Sequence, residues 1–183
     1  MHIRTPLLLL IISLLVLFVS AATTKTITTG SRSLLNGKFL LSWTLDEESQ
    51  TIEHTVTVKG VRTWIGLGWT HNRAALMANA SMVAIVFDQK TKEPKIECYI
   101  GAPLNTMPIK TPTCYATLSK VTVDEKAKET TVVFKRNLAV DGGTEAFNVP
   151  IIDEPMYVIV AYGYAGQFAY HIDRRDSVAA SRE

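Results

Sequence analysis

Thr51-Ile52-Glu53-His54-Thr55-Val56-Thr57-Val58-Lys59 decides the fold. Ile52, His54, Val56 and Val58 fall on one side of an extended chain, and Glu53, Thr55, Thr57 and Lys59 on the other. That period of two predicts a half-buried β-strand. Working outward, Lys38–Leu45 (KFLLSWTL) reads as a second strand across the turn-rich Asp46-Glu47-Glu48-Ser49-Gln50. After Gly60, Val61–Trp69 (VRTWIGLGW) carries Gly66 and Gly68, which permit close approach by a neighbouring backbone or a ligand. Ser81–Asp88 (SMVAIVFD) is almost wholly apolar, as a strand covered on both faces would be. Lys95–Gly101, Tyr115–Val123, Thr130–Arg136 and Met156–Tyr164 supply further strands, and Arg73–Ala80 is the one stretch that could form a helical turn. Short strands broken by Gly, Pro, Asn and Asp predict an all-β fold, an antiparallel β-sandwich.

The ends and the composition set the context. Leu7 to Val19 is an apolar run after His2 and Arg4, and Val19-Ser20-Ala21-Ala22 offers small residues for cleavage. Residues 1–22 thus read as a secretory signal peptide, too short to cross a bilayer comfortably. Residues 23–183, about 160 in number, suit a single domain with a good-sized core. The chain of 183 residues carries a net charge of +2, with Lys and Arg scattered, so no nucleic-acid surface is indicated. Lys126 and Lys128, interleaved with Asp124, Glu125 and Glu129, read as a solvated hairpin. Residues 179–183 read as a frayed tail. Two cysteines, Cys98 and Cys114, in a chain bound for an oxidising compartment predict a disulfide, stabilising by roughly 3 kcal/mol. Asn79-Ala80-Ser81 is an N-glycosylation sequon.

Catalytic signatures are missing: no G-x-S-x-G, H-E-x-x-H, phosphate loop or dinucleotide-binding glycine pattern occurs. Two residues beyond apparent strand ends could carry other chemistry. Met77 lies in the small-residue loop Ala74-Ala75-Leu76-Met77-Ala78-Asn79, and His171 lies among Phe168, Tyr170 and Ile172. Taken singly, the first reads rather as a gap-filling methionine and the second rather as a structural histidine. His54 sits on the apolar face of its strand and reads as core. His71, in a polar loop, reads as solvent-facing and is the rival to His171. Arg136 reads as capping a strand end.

Phe39-Leu40-Leu41-Ser42-Trp43, then Trp64-Ile65-Gly66-Leu67-Gly68-Trp69, then Met77 and a small-residue loop before an apolar strand, resemble the DOMON domain. So do Val132-Val133-Phe134-Lys135-Arg136 and the late histidine. The resemblance runs from about Leu35 to Ser177. It implies an immunoglobulin-like β-sandwich, similar to the haem b cytochrome domain of cellobiose dehydrogenase. It also implies a non-covalent haem b whose iron is held axially by Met77 and His171, an arrangement suited to one-electron transfer. Trp64, Trp69, Tyr162, Tyr164, Phe168 and Tyr170 would then form an apolar, aromatic end. Arg174 and Arg175 would meet the haem propionates, unless they form only a solvated basic turn. Asn79-Ala80-Ser81 stands where the family commonly has Gly-Ala-Asp, and Ile172 follows the histidine in place of glycine.

On this reading the protein is not itself an enzyme. It would be a secreted module exchanging electrons with an extracellular or membrane redox partner. The alternatives are a carbohydrate-binding module, with exposed aromatics stacking on sugar rings, or an extracellular interaction domain of the same fold.

Overall fold

The alternation in residues 51–59 becomes strand β3 (Thr51–Lys59), whose Ile52, His54, Val56 and Val58 are buried. It lies at the centre of a five-stranded antiparallel sheet. The computed structural model describes residues 27–60, 63–71, 77–102, 106–138, 156–163 and 175–180. In that sheet β1 (Ile27–Leu34), β2 (Phe39–Asp46), β3, β9 (Glu129–Asn137) and β8 (Ala116–Asp124) follow one another in space. A second antiparallel sheet has the order β11 (Arg175–Ala180), β10 (Met156–Gly163), β4 (Trp64–Thr70), β5 (Ser81–Phe87), β6 (Pro94–Ile100), β7 (Ile109–Lys110). No helix occurs among the described residues.

The two sheets bury their facing sides against each other, as the sandwich reading requires. Phe39, Leu41, Val56, Val58, Val132 and Phe134 from one sheet meet Ile65, Leu67, Ile85, Val158 and Val160 from the other in one core. Turns close the hairpins with the expected chemistry. Asp124 Oδ1 accepts the Lys126 and Ala127 amides at 2.9 and 2.7 Å, which makes the lysine-rich segment the solvated hairpin of the sequence reading. Asp88 does the same for Lys90 and Thr91 at 2.8 and 2.9 Å.

Three strands go beyond the sequence reading. β1 (ITTGSRSL) has little apolar content, and a Cβ at its Gly30 would overlap the Trp43 indole packed across it. β7 is only two residues long. β11 replaces both the basic turn expected at Arg175 and part of the expected frayed tail, since Ala179 and Ala180 pair with Tyr157 and Met156. Its six residues gain a strand conformation from the edge of β10, not from their own pattern.

Candidate functional site

In β4 the side chains of Ile65, Leu67 and Trp69 enter the main core, which leaves Trp64, Gly66 and Gly68 on the opposite face. That face is also apolar. Trp64, Met82, Ala84, Val86, Tyr99 and Ala161 form a second buried cluster, with Met77 and Ile159 packed against it. The central strands β10, β4 and β5 of this sheet are thus apolar on both sides, as the unbroken run in β5 implies.

The pairing register organises this second face into rows. Ala161, Gly66 and Ala84 stand opposite one another on β10, β4 and β5, so this row bears nothing larger than a methyl group. Ile159, Gly68, Met82 and Tyr99 form the next row, and Gly163, Trp64 and Val86 the row on the other side. A Cβ on Gly68 would lie 2.7 Å from Met82 Cγ, and one on Gly163 would overlap the Trp64 indole. The result is a shallow apolar hollow lined by Gly66, Met77, Met82, Ile159 and Ala161 among others.

Met77 reaches the hollow from a tight turn. The Ala80 amide donates to the Met77 carbonyl at 3.2 Å, and Asn79 takes the left-handed conformation at φ 58°. The turn rests on the end of β6: the Asn79 amide donates to the Gly101 carbonyl and the Gly101 amide to the Ala80 carbonyl, both at 2.8 Å. Cys98, on the same strand, is bonded to Cys114, as the compartment argument predicts.

Polar groups border the apolar row. Glu97 pairs in register with Ala84, and it accepts hydrogen bonds from Tyr99 Oη and Lys110 Nζ, both at 2.6 Å. Burial, then the Glu97 contact, pushes the Tyr99 hydroxyl well above its ordinary range. Burial alone would raise the Glu97 carboxyl, but the Lys110 and Tyr99 hydrogen bonds outweigh it and leave the group low. At the opposite end of the row the Arg175 backbone pairs with that of Ala161.

The other sequence-derived candidates separate clearly. His171 lies outside the described residues, as do Arg174, Tyr164, Phe168 and Tyr170. Trp64 is on the hollow's face and fully buried. Tyr162 is not: alternation along β10 sends it into the main core, while its neighbour Ala161 faces the hollow. Trp69 also enters the main core. Asn79 is exposed, and so is His71.

His54 is core, 2 % exposed, stacked at 5.2 Å on Trp69 and 5.1 Å on Phe134. Neither of its ring nitrogens has a hydrogen-bond partner among the described residues. Burial, then the charge of Arg136, lowers its pKa to about 3, so it is a neutral plate. Arg136 meets the strand-cap expectation, since its Nε donates to the carbonyl of Asn137, the last residue of β9, at 3.2 Å. It is also 3 % exposed, its guanidinium lies 4.3 Å from the Trp69 ring centroid, and burial lowers its pKa to about 10. Met82, Ala84 and Ala161 were missed as site residues. For Met82 and Ala84 the signal was present in the wholly apolar β5, which needs cover on both faces.

The chain can be compared with known proteins on this footing. The family model for the DOMON domain matches residues 35–163. Among solved structures, the cytochrome domain of Myriococcum thermophilum cellobiose dehydrogenase superposes with a TM-score of 0.58 at 10 % identity, over 86 % of this chain and 83 % of that one. The cytochrome b domain of pyranose dehydrogenase from Coprinopsis cinerea gives 0.56 at 10 % identity, over 82 % and 80 %. At that identity the likeness is one of fold. No curated protein sequence matches the chain.

Proposed function

The chain belongs to the DOMON domain family, and on that premise we propose that it is a haem b-binding module for one-electron transfer. The observation that carries this reading is Met77 lining an apolar hollow beside the row Ala161–Gly66–Ala84, which has no side chain above a methyl. An apolar, water-excluding surface of that kind suits a haem macrocycle, and the Met77 thioether beside it would supply a ligand to the iron. Bound there, the haem would supply a reversible ferric/ferrous couple.

The chain's own residues would do the rest. Met77 and His171 would together hold the iron, and with both in place the module would pass electrons to a partner instead of binding oxygen or substrate. Trp64 and Met82 would exclude water beside the row. Arg175, at the end of the row, would suit a propionate carboxylate. The apolar leader and the disulfide support an extracellular location, with an extracellular or membrane redox partner. Asn79 is exposed and would carry an N-linked glycan. The carbohydrate alternative gains nothing from the tryptophans, since Trp64 and Trp69 are buried and Trp43 is half-buried.

The test is a visible absorption spectrum of the secreted protein supplied with haem, oxidised and then reduced with dithionite. A sharp Soret band with resolved α and β bands on reduction, lost in both Met77→Ala and His171→Ala, supports the reading. A protein that stays colourless after haem titration overturns it.

A further inference from the structure

We propose that Gly101 is the residue that positions Met77 as an iron ligand, an inference that rests on the haem reading above. Gly101 immediately follows the last residue of β6, Ile100. Its two backbone groups are both committed to the turn that carries Met77: its carbonyl takes the Asn79 amide and its amide goes to the Ala80 carbonyl. The approach is so close that a Cβ built at Gly101 would fall on the carbonyl of Met77 and lie 3.2 Å from the Ala80 nitrogen. The obstacle is backbone, so no rotamer change relieves it.

The strand is the fixed side of this contact. β6 pairs with β5 along seven residues, from Ser81↔Ile100 to Phe87↔Pro94. Three residues before Gly101 it is tied by the Cys98–Cys114 disulfide, and the Thr111 amide and hydroxyl both donate to the Cys98 carbonyl, at 2.9 and 3.1 Å. A side chain at position 101 therefore displaces the turn, and with it the thioether lining the hollow. Nothing about the spacing Met77 to Gly101 shows this in the sequence; the contact exists only once β5 has folded back on β6.

The experiment compares wild type and Gly101→Ala, each purified and loaded with haem, with far-UV circular dichroism to establish that the variant is folded. The expected result is loss of the six-coordinate low-spin spectrum in the variant, as in Met77→Ala. Added imidazole should restore that spectrum at a concentration at least about tenfold below what wild type needs to react. In the haem-free proteins, the Asn79 amide should exchange at least about tenfold faster in the variant, because opening a local hydrogen-bonded unit is what exchange reads.

A Gly101→Ala protein with the wild-type spectrum and wild-type imidazole response overturns the proposal while leaving the haem reading intact. A wild-type protein that stays colourless overturns the haem reading, and shows itself before any variant is made. Should the variant fail to fold, the wild-type Asn79 and Gly101 amides decide the matter. Protection of both supports the clamp, and exchange at the unprotected rate overturns it.

Discussion

The outer faces of the two sheets differ. On the five-stranded sheet the side away from the core carries Thr44, Glu53, Thr55, Thr57, Thr131 and Lys135, all exposed or half-buried. Thr57 and Thr131 share a hydrogen bond at 3.0 Å, and Glu53 stands opposite Lys135. Leu40, 48 % exposed, Ile27, 52 % exposed, and the half-buried Val133 are the apolar residues that interrupt this face. On the six-stranded sheet the corresponding side is Trp64, Met82, Ala84, Val86 and Ala161, all buried. A sandwich needs only its inner faces apolar, so the polar outer face is what the fold alone demands. The apolar one is extra, and it is where Met77 comes to lie.

Four experiments would break or sharpen that contrast. The largest effect is expected from placing the same charge on both faces. Ala84→Lys buries an unpaired ammonium and should cost about 3–5 kcal/mol, while Thr44→Lys, on the exposed side, should stay within about 0.5 kcal/mol. Urea denaturation of both proteins measures the gap, and equal losses would erase the distinction between the faces.

Next, removing the crosslink beside the hollow by Cys98→Ser with Cys114→Ser should lower stability by about 3 kcal/mol, given a sequence separation of 16. No counterpart exists among the described residues of the five-stranded sheet, so a loss below about 1 kcal/mol would show that the hollow's side needs no such anchor.

The main core between the faces should make the fold acid-sensitive through His54. Its folded pKa of about 3 lies below the ordinary 6.5. Between these values the unfolded chain binds a proton that the folded one refuses. The stability is therefore complete above pH 6.5 and falls with pH, by about 1.4 kcal/mol per unit, or about 2 kcal/mol down to pH 5. His54→Leu should flatten that slope in urea titrations at pH 7.5 and pH 5; an unchanged slope would place the acid sensitivity elsewhere. Last and smallest, Gly68→Ala should cost about 1 kcal/mol, because Met82 Cγ lies 2.7 Å from the new methyl and must shift. A thermal melt unchanged by that substitution would show the Gly68–Met82 row to be looser than its register implies.

Eight of the strands were legible because their patterns are local. Alternation in β3 and β9, and continuous apolarity in β5, follow from which faces are buried. β1 and β11 were not, since they are edge strands whose pairing partner supplies the reason to be extended. At the site, Met77 was legible only through family likeness, and Trp64 and Tyr162 looked equivalent. They part because β4 and β10 place them on opposite faces of one sheet, and the phase of a strand's alternation relative to the core is set by pairing. Arg136 caps its strand end as read, through the Asn137 carbonyl, but its burial over the Trp69 ring was not legible, because that ring belongs to the other sheet.

By itself the sequence determined the strand periods, the turn positions, the cysteine pair and the glycines and alanines that would leave room beside a sheet. Those depend on residue type and spacing along the chain. The tertiary structure alone decided that Ala161, Gly66 and Ala84 line up as one row, that Met77 lines the hollow beside it, and that Gly101 abuts the Met77 carbonyl. Each of these joins residues from different strands, and their alignment follows from register and sheet order, which hydrogen bonding between strands fixes only when the sandwich closes.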